Sequence, residues 1–210
     1  MDGALYKRAA TTSPTFSLND YDQNLDILHD STATPRKMEF TFPGGDTTPA
    51  DYAAIFTGSV VKTYQPIQDF ALGYDVVVIK SCYPNANIAS DAALEDVKGQ
   101  YLSIARFFAS RLDKQLIILT TPPLRRLRTS RAAAIRARQL ATWLATQTLA
   151  PNIAVFNFFD LLANPEGAKH ANTLYDKYRR TWPFDSHPNA EASRVIAPLL
   201  IEFIAGKINH

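Results

Sequence analysis

Cysteine is nearly absent from this chain of 210 residues: Cys82 stands alone, so neither an internal disulfide nor a thiolate zinc site can form within it. Charge of one sign is missing too. Lys and Arg number 22 against 20 Asp and Glu, a net of +2, too small for general nucleic-acid binding. No apolar run approaches the roughly 18 residues that a bilayer-spanning helix needs. The start, Met1 to Arg8, carries the basic pair Lys7-Arg8 but no apolar stretch after it, so no secretory leader is expected. No glycine-rich phosphate loop follows any candidate strand, and no metal-ligand spacing is present. Repeats, low-complexity tracts and evident linkers are also lacking. These absences set the expectation of a soluble, cytoplasmic chain with no membrane segment, nucleic-acid partner, metal or organic cofactor.

What is present is an ordinary globular balance, 46% apolar and 20% charged, enough to build a core. The length suits one domain over 1–210, although residues 1–43 are poorly defined. Residues 1–70 are polar and loop-like; residues 72–206 alternate between apolar runs and helical patterns. Asp75-Val76-Val77-Val78-Ile79 is apolar on both faces, as a strand between two helical layers would be. Leu94, Val97, Tyr101, Ile104, Phe108 and Leu112 fall at spacings of three and four and predict a helix over 91–113, capped by Ser90 or Asp91. A second strand is expected at 116–119, stopped by Pro122-Pro123. A helix over 130–148 and a third strand at 153–156 follow. The last helix begins after Asn189, is kinked by Pro198 and ends at Gly206.

Such alternation with short links implies an α/β fold with a parallel sheet covered on both faces. Ligands then bind beyond the carboxyl ends of the strands, at 80–85, 120–124 and 157–160. Toward the N-terminus, residues 25–29 form a candidate strand. Met38, Phe40 and Phe42 hint at another, and 43–49 is a loop of turn formers.

The sharpest chemical segment is Phe184-Asp185-Ser186-His187-Pro188-Asn189. A histidine at a loop-to-helix junction beside a carboxylate suits a general base, with Asp185 setting its tautomer; Asp185, Ser186 or Asn189 also serves as the helix cap. Asn85, just past a strand, is the best candidate oxyanion donor, and Ser81 is a further one. Lys80 must reach the cleft or pair with a carboxylate. Arg125, Arg126, Arg128 and Arg131 can line the cleft rim and take a carboxylate or phosphate, or else form a solvated helix start. Cys82 as nucleophile would be a different chemistry, and a buried free cysteine is usually a small core residue. Tyr175, Tyr178, Trp182 and Phe184 read as core or cleft wall.

Asp185-Ser186-His187-Pro188-Asn189 before an amphipathic helix resembles the C-terminal block of the SGNH (GDSL-type) hydrolases. Lys80-Ser81-Cys82-Tyr83-Pro84-Asn85, the run Ile117 to Leu124, and Gly45-Asp46-Thr47-Thr48 with Tyr52 and Phe56 are similar to segments of one branch of that superfamily, in the same order. The resemblance covers about residues 44–206. It implies a three-layer α/β/α fold with a mainly parallel, flavodoxin-like sheet, and hydrolysis of acyl or acetyl esters, often on carbohydrates, by a serine. Two departures stand out. Only Ser186 separates Asp185 from His187 where two residues are usual, and no Gly-Asp-Ser block is plain. Either Asp26 to Ser31 supplies the first strand, with Ser31 as nucleophile, or His29-Asp30 ends the second strand and the first lies upstream of Met1. The rivals are a non-catalytic relative that binds glycans, and an anion-binding module that uses the arginines.

Overall fold

The computed structural model describes residues 11, 16–23, 25–30, 34–44, 46–57, 64–182 and 185–208. In chain order the elements are β1 (Asp20–Asp22), β2 (Ile27–His29), β3 (Arg36–Lys37), α1 (Pro49–Thr57), α2 (Gln65–Leu72), β4 (Val76–Lys80), α3 (Asp91–Ala109), β5 (Gln115–Leu119), α4 (Arg131–Thr146), β6 (Ile153–Phe156), α5 (Phe158–Leu162) and α6 (Ala190–Ile208). The fold is α/β. β4, β5 and β6 form a parallel sheet in that order, with Val77 opposite Leu116 and Leu116 opposite Ile153. Among the described residues no helix is long and apolar enough to cross a membrane.

Strand side chains alternate between faces, and the core divides accordingly. Val77, Ile79, Leu116, Ile118 and Ile153 pack with Leu94, Tyr101, Ile104 and Phe108 of α3 and with Leu140 and Leu144 of α4. Ile117, Leu119 and Phe156 pack instead with Ala192, Ile196 and Ile204 of α6. The sheet's most buried strand is therefore β5, not β4. α6 lies against β5 and β6, and Val78 on β4 is 39% exposed. The expectation that the 75–79 run is buried on both faces is corrected: β4 alternates, with Val77 and Ile79 inside and Val78 and Lys80 outside.

α3 is shorter than its apolar periodicity predicts. It stops at Ala109, and Leu112 is exposed. The cause lies far along the chain, in hydrogen bonding rather than apolar pattern: the buried Asn152 amide donates to the carbonyls of Phe108, Arg111 and Lys114 at 2.8, 3.0 and 2.9 Å. Those bonds tie the last turn of α3 to the turn at 110–114 that leads into β5, adding a side-chain donor to the backbone N–H groups that the Phe108 and Arg111 carbonyls already accept. Asn152→Ala would leave three inward carbonyls without that donor, and is expected to cost about 2 kcal/mol. A lower urea midpoint at unchanged slope would show it; an unchanged midpoint would mean that the three carbonyls find other donors. α6 runs through Pro198 and on past Gly206 to Ile208, so Gly206 does not end it.

The N-terminal segment departs further. β2 pairs antiparallel with β1 and β3 in a separate small sheet. Residues 25–29 thus do not supply a strand of the parallel sheet, under either assignment of the 26–31 segment. Residues 38–42 form no strand, yet Phe42 is buried and Phe40 packs 5.4 Å from Tyr21 and 5.2 Å from Phe70, centroid to centroid.

Candidate active site

The site is built where three carboxyl-end segments of the parallel sheet meet the start of α6. After β5 the chain stays buried from Thr120 to Arg125. The Thr120 hydroxyl accepts the Phe159 N–H at 2.8 Å, which fixes the start of α5 against this turn. The Leu124 carbonyl accepts the Leu174 N–H at 2.8 Å. Arg125 then departs from its expected role. It is 7% exposed, and its guanidinium donates to the carbonyls of Arg180, Trp182 and Asp185. Its backbone N–H donates to the buried Ser186 hydroxyl at 3.2 Å. Arg125 is therefore no anion receptor; it fastens the loop that carries Asp185 and His187.

The other side of that loop is held by Asn189. Its Oδ1 accepts the Ala192 N–H at 3.1 Å and so caps α6. Its amide donates to the carbonyls of Lys177 and Arg179 at 2.8 and 3.1 Å. Of the three candidate caps, Asn189 fills the position. Ser186 is buried against Arg125, and Asp185 is left for His187.

Asp185 Oδ1 lies 2.7 Å from His187 Nδ1 and also accepts the His187 backbone N–H at 2.8 Å. Asp185 Oδ2 lies 3.5 Å from Arg180 Nη1. A single intervening residue thus suffices for the dyad, because the two bonds to one oxygen fold the loop tightly. Desolvation pushes against the Asp185 charge. The two hydrogen bonds from His187, its charge and that of Arg180 outweigh it and hold the carboxyl below its ordinary value. An ionised Asp185 accepting at Nδ1 leaves Nε2 as the basic nitrogen.

The imidazole is half exposed, with 53% of its side-chain surface open. The Tyr83 ring meets it edge to face, at a centroid distance of 4.6 Å and an angle of 80°. Tyr83 stands in the 3₁₀ turn Tyr83–Ala86 after β4, so the histidine faces the turn that leaves β4. Tyr83 also lines a cavity of about 340 Å³, with Pro84, Asn87, Leu124, Leu127 and Arg128. Neither Tyr83 as the ring beside the base nor Arg125 as the loop's anchor was singled out for those roles from sequence. The spacing Tyr83-Pro84-Asn85 after an apolar strand was the available signal.

The remaining candidates are dispersed. The Asn85 amide donates to the Asp46 carbonyl at 2.9 Å, which engages one of its two N–H groups with the 43–48 loop. Ser81 is 1% exposed and bonded to Tyr101 Oη at 3.1 Å, and Tyr101 in turn lies 3.4 Å from the Thr121 hydroxyl. This buried chain takes Ser81 out of the cleft, so it is no oxyanion donor. Lys80 is exposed at the end of β4, and its carbonyl accepts from Tyr52 Oη at 3.1 Å and the Thr47 hydroxyl at 3.3 Å. Among the described residues no contact joins Lys80 to His187. Arg126 donates to His170 and Arg136 pairs with Asp91, at 3.3 and 2.6 Å; Arg138 pairs with Asp160. Among the described residues no three His, Cys, Asp or Glu side chains converge as a metal site, and no hydroxyl or thiol is hydrogen-bonded to the His187 ring. Ser31, the candidate nucleophile, and Phe184 lie outside the described residues. Comparison with known protein families, with curated proteins and with solved structures found no match.

Proposed function

We propose that the chain is a carboxylic-ester hydrolase of the SGNH type that acts on acyl or acetyl esters, carbohydrate esters among them, on a three-layer flavodoxin-like scaffold. One observation carries the proposal: the 2.7 Å bond between His187 Nδ1 and Asp185, on a loop clamped by Arg125 at the carboxyl end of the sheet. A half-exposed imidazole against Tyr83, which lines a cavity, with Nδ1 bonded to Asp185 and Nε2 left for a substrate, is equipped to take a proton from an attacking hydroxyl and return it to the leaving alcohol. Asp185 would stabilise the imidazolium formed in between. The second N–H of Asn85, in the turn that carries Tyr83, is the side-chain donor candidate for the oxyanion. Ser31 is the nucleophile candidate that the sequence offers; it lies outside the described residues, and the antiparallel pairing of β2 counts against it.

A second reading, a binding protein on the same scaffold, is favoured by the lack of a described hydroxyl or thiol bonded to the His187 ring. Turnover of p-nitrophenyl acetate, with fluorophosphonate labelling mapped to a serine, separates the two. We expect turnover above buffer and a label on Ser31, absent from Ser31→Ala. Turnover with no serine labelled would replace Ser31 by water as nucleophile. No turnover at all would leave the binding protein.

A further inference from the structure

The second cavity takes Arg126 of the 3₁₀ turn Arg126–Arg128 into its wall, where the first takes Leu127 and Arg128, and it is larger, about 420 Å³. Its wall brings together Arg126, Arg131, Lys169, His170 and Ser130. No Asp or Glu lines it. Among the described residues no carboxylate pairs with Arg126, Arg131 or Lys169. Glu166, next to the 167–173 loop, makes no salt bridge to Arg126, Arg131 or Lys169 and does not line the cavity. Three cations on one concave surface repel one another, and nothing described neutralises them.

The surrounding donors point the same way. Arg126 Nη1 lies 3.3 Å from His170 Nε2. A guanidinium has only donors, so Nε2 accepts and the His170 proton sits on Nδ1. This bond steadies Arg126 at the rim. At the start of the 16-residue α4, the Ser130 hydroxyl takes the Ala133 N–H at 3.1 Å, and the first intrahelical bond runs from Ala134 to the Ser130 carbonyl at 3.0 Å. The amides of Arg131 and Ala132 precede both bonds and are used by neither. A cavity lined by three cations without a salt-bridge partner, with Ser130 and Arg131 at the start of α4 in its wall, is matched in charge and hydrogen-bond sense by a tetrahedral dianion.

We propose that this cavity is a binding site for a phosphate or sulfate group, either free or esterified to a small molecule such as a sugar. A planar monovalent carboxylate would leave more of the positive charge unmet. The site is separate from the His187 dyad, and its existence does not depend on ester hydrolysis.

The test is calorimetric titration of the full chain with inorganic phosphate, sulfate and glucose 6-phosphate at fixed ionic strength, since screening weakens exposed charges. Lys169→Ala and Arg131→Gln change exposed side chains, so the fold is retained, and circular dichroism checks it. Each is expected to weaken binding about ten- to hundred-fold, whereas Arg128→Gln, on the other cavity, leaves it unchanged. Tighter binding of glucose 6-phosphate than of inorganic phosphate assigns the site to an ester; the reverse assigns it to the free ion. Absence of binding at millimolar anion, or equal binding by wild type and both cavity variants, overturns the proposal.

Discussion

His187→Ala is expected to lower kcat/KM for p-nitrophenyl acetate by about 10²–10⁴-fold, the range supplied by a positioned general base. The replacement is local: the ring is half exposed and its polar bond within the protein is the one to Asp185, so the fold should survive. The two Asp185 variants should then separate orientation from charge. The same carboxylate oxygen holds both the backbone N–H and Nδ1 of His187. In Asp185→Asn the amide oxygen can accept both bonds, which keeps the tautomer, while the charge is lost and an NH2 group replaces the oxygen that faces Arg180. In Asp185→Ala both bonds go. The expected order of activity is wild type, Asp185→Asn, Asp185→Ala, His187→Ala. Full activity in all three variants would remove His187 from the chemistry.

The same pair makes a statement about stability. The Asp185 carboxyl is held below its ordinary value in the fold, so its ionised form adds stability above the unfolded carboxylate pKa, about 3.9. That contribution is lost as pH falls through the lower folded value. Thermal melts of wild type should therefore fall more steeply than those of Asp185→Asn between about pH 4 and the acid limit.

The regular elements were legible wherever a single physical cause shaped both sequence and structure. The apolar run at 153–156 coincides with β6, and Ser90 and Ser130 cap α3 and α4 by accepting the N–H three residues on. Local capping and side-chain period are written within a few residues of where they act. Features with a distant cause were not legible. The end of α3 is set by Asn152, and the partial exposure of β4 by where α6 lies. β1 to β3 are two or three residues each, too short to carry a period. In the site, Asp185 and His187 were visible as neighbours in sequence. Arg125 was visible only as a cation, because its acceptors are backbone carbonyls and any residue type provides those.

Arg125→Leu should consequently have the second large effect, and in two readouts at once. Leucine fills much of the volume but supplies no donor to the carbonyls of Arg180, Trp182 and Asp185. Hydrogen bonds from a charged group are each worth about 1.5–3 kcal/mol, but these carbonyls lie near exposed residues and can recover water. A net loss of about 2–3 kcal/mol is expected, read as a lower urea midpoint. The backbone bond from residue 125 to Ser186 persists in the variant, so the loop should loosen around 180–185 rather than detach. Loosening moves Asp185, and with it the imidazole. A displacement of about 1 Å in a reacting group can cost about 10²-fold in rate, so kcat/KM should fall by that order in the folded variant. In Arg125 a single nitrogen, Nη1, reaches all three oxygens; Arg125→Lys puts one ammonium on a shorter and more strongly hydrated side chain there, and should recover part of the stability and less of the rate. Faster hydrogen exchange at 180–187 in Arg125→Leu would place the loosening there. A variant with wild-type midpoint, exchange and kcat/KM would show that the loop holds its shape without the arginine, and that the dyad geometry has another cause.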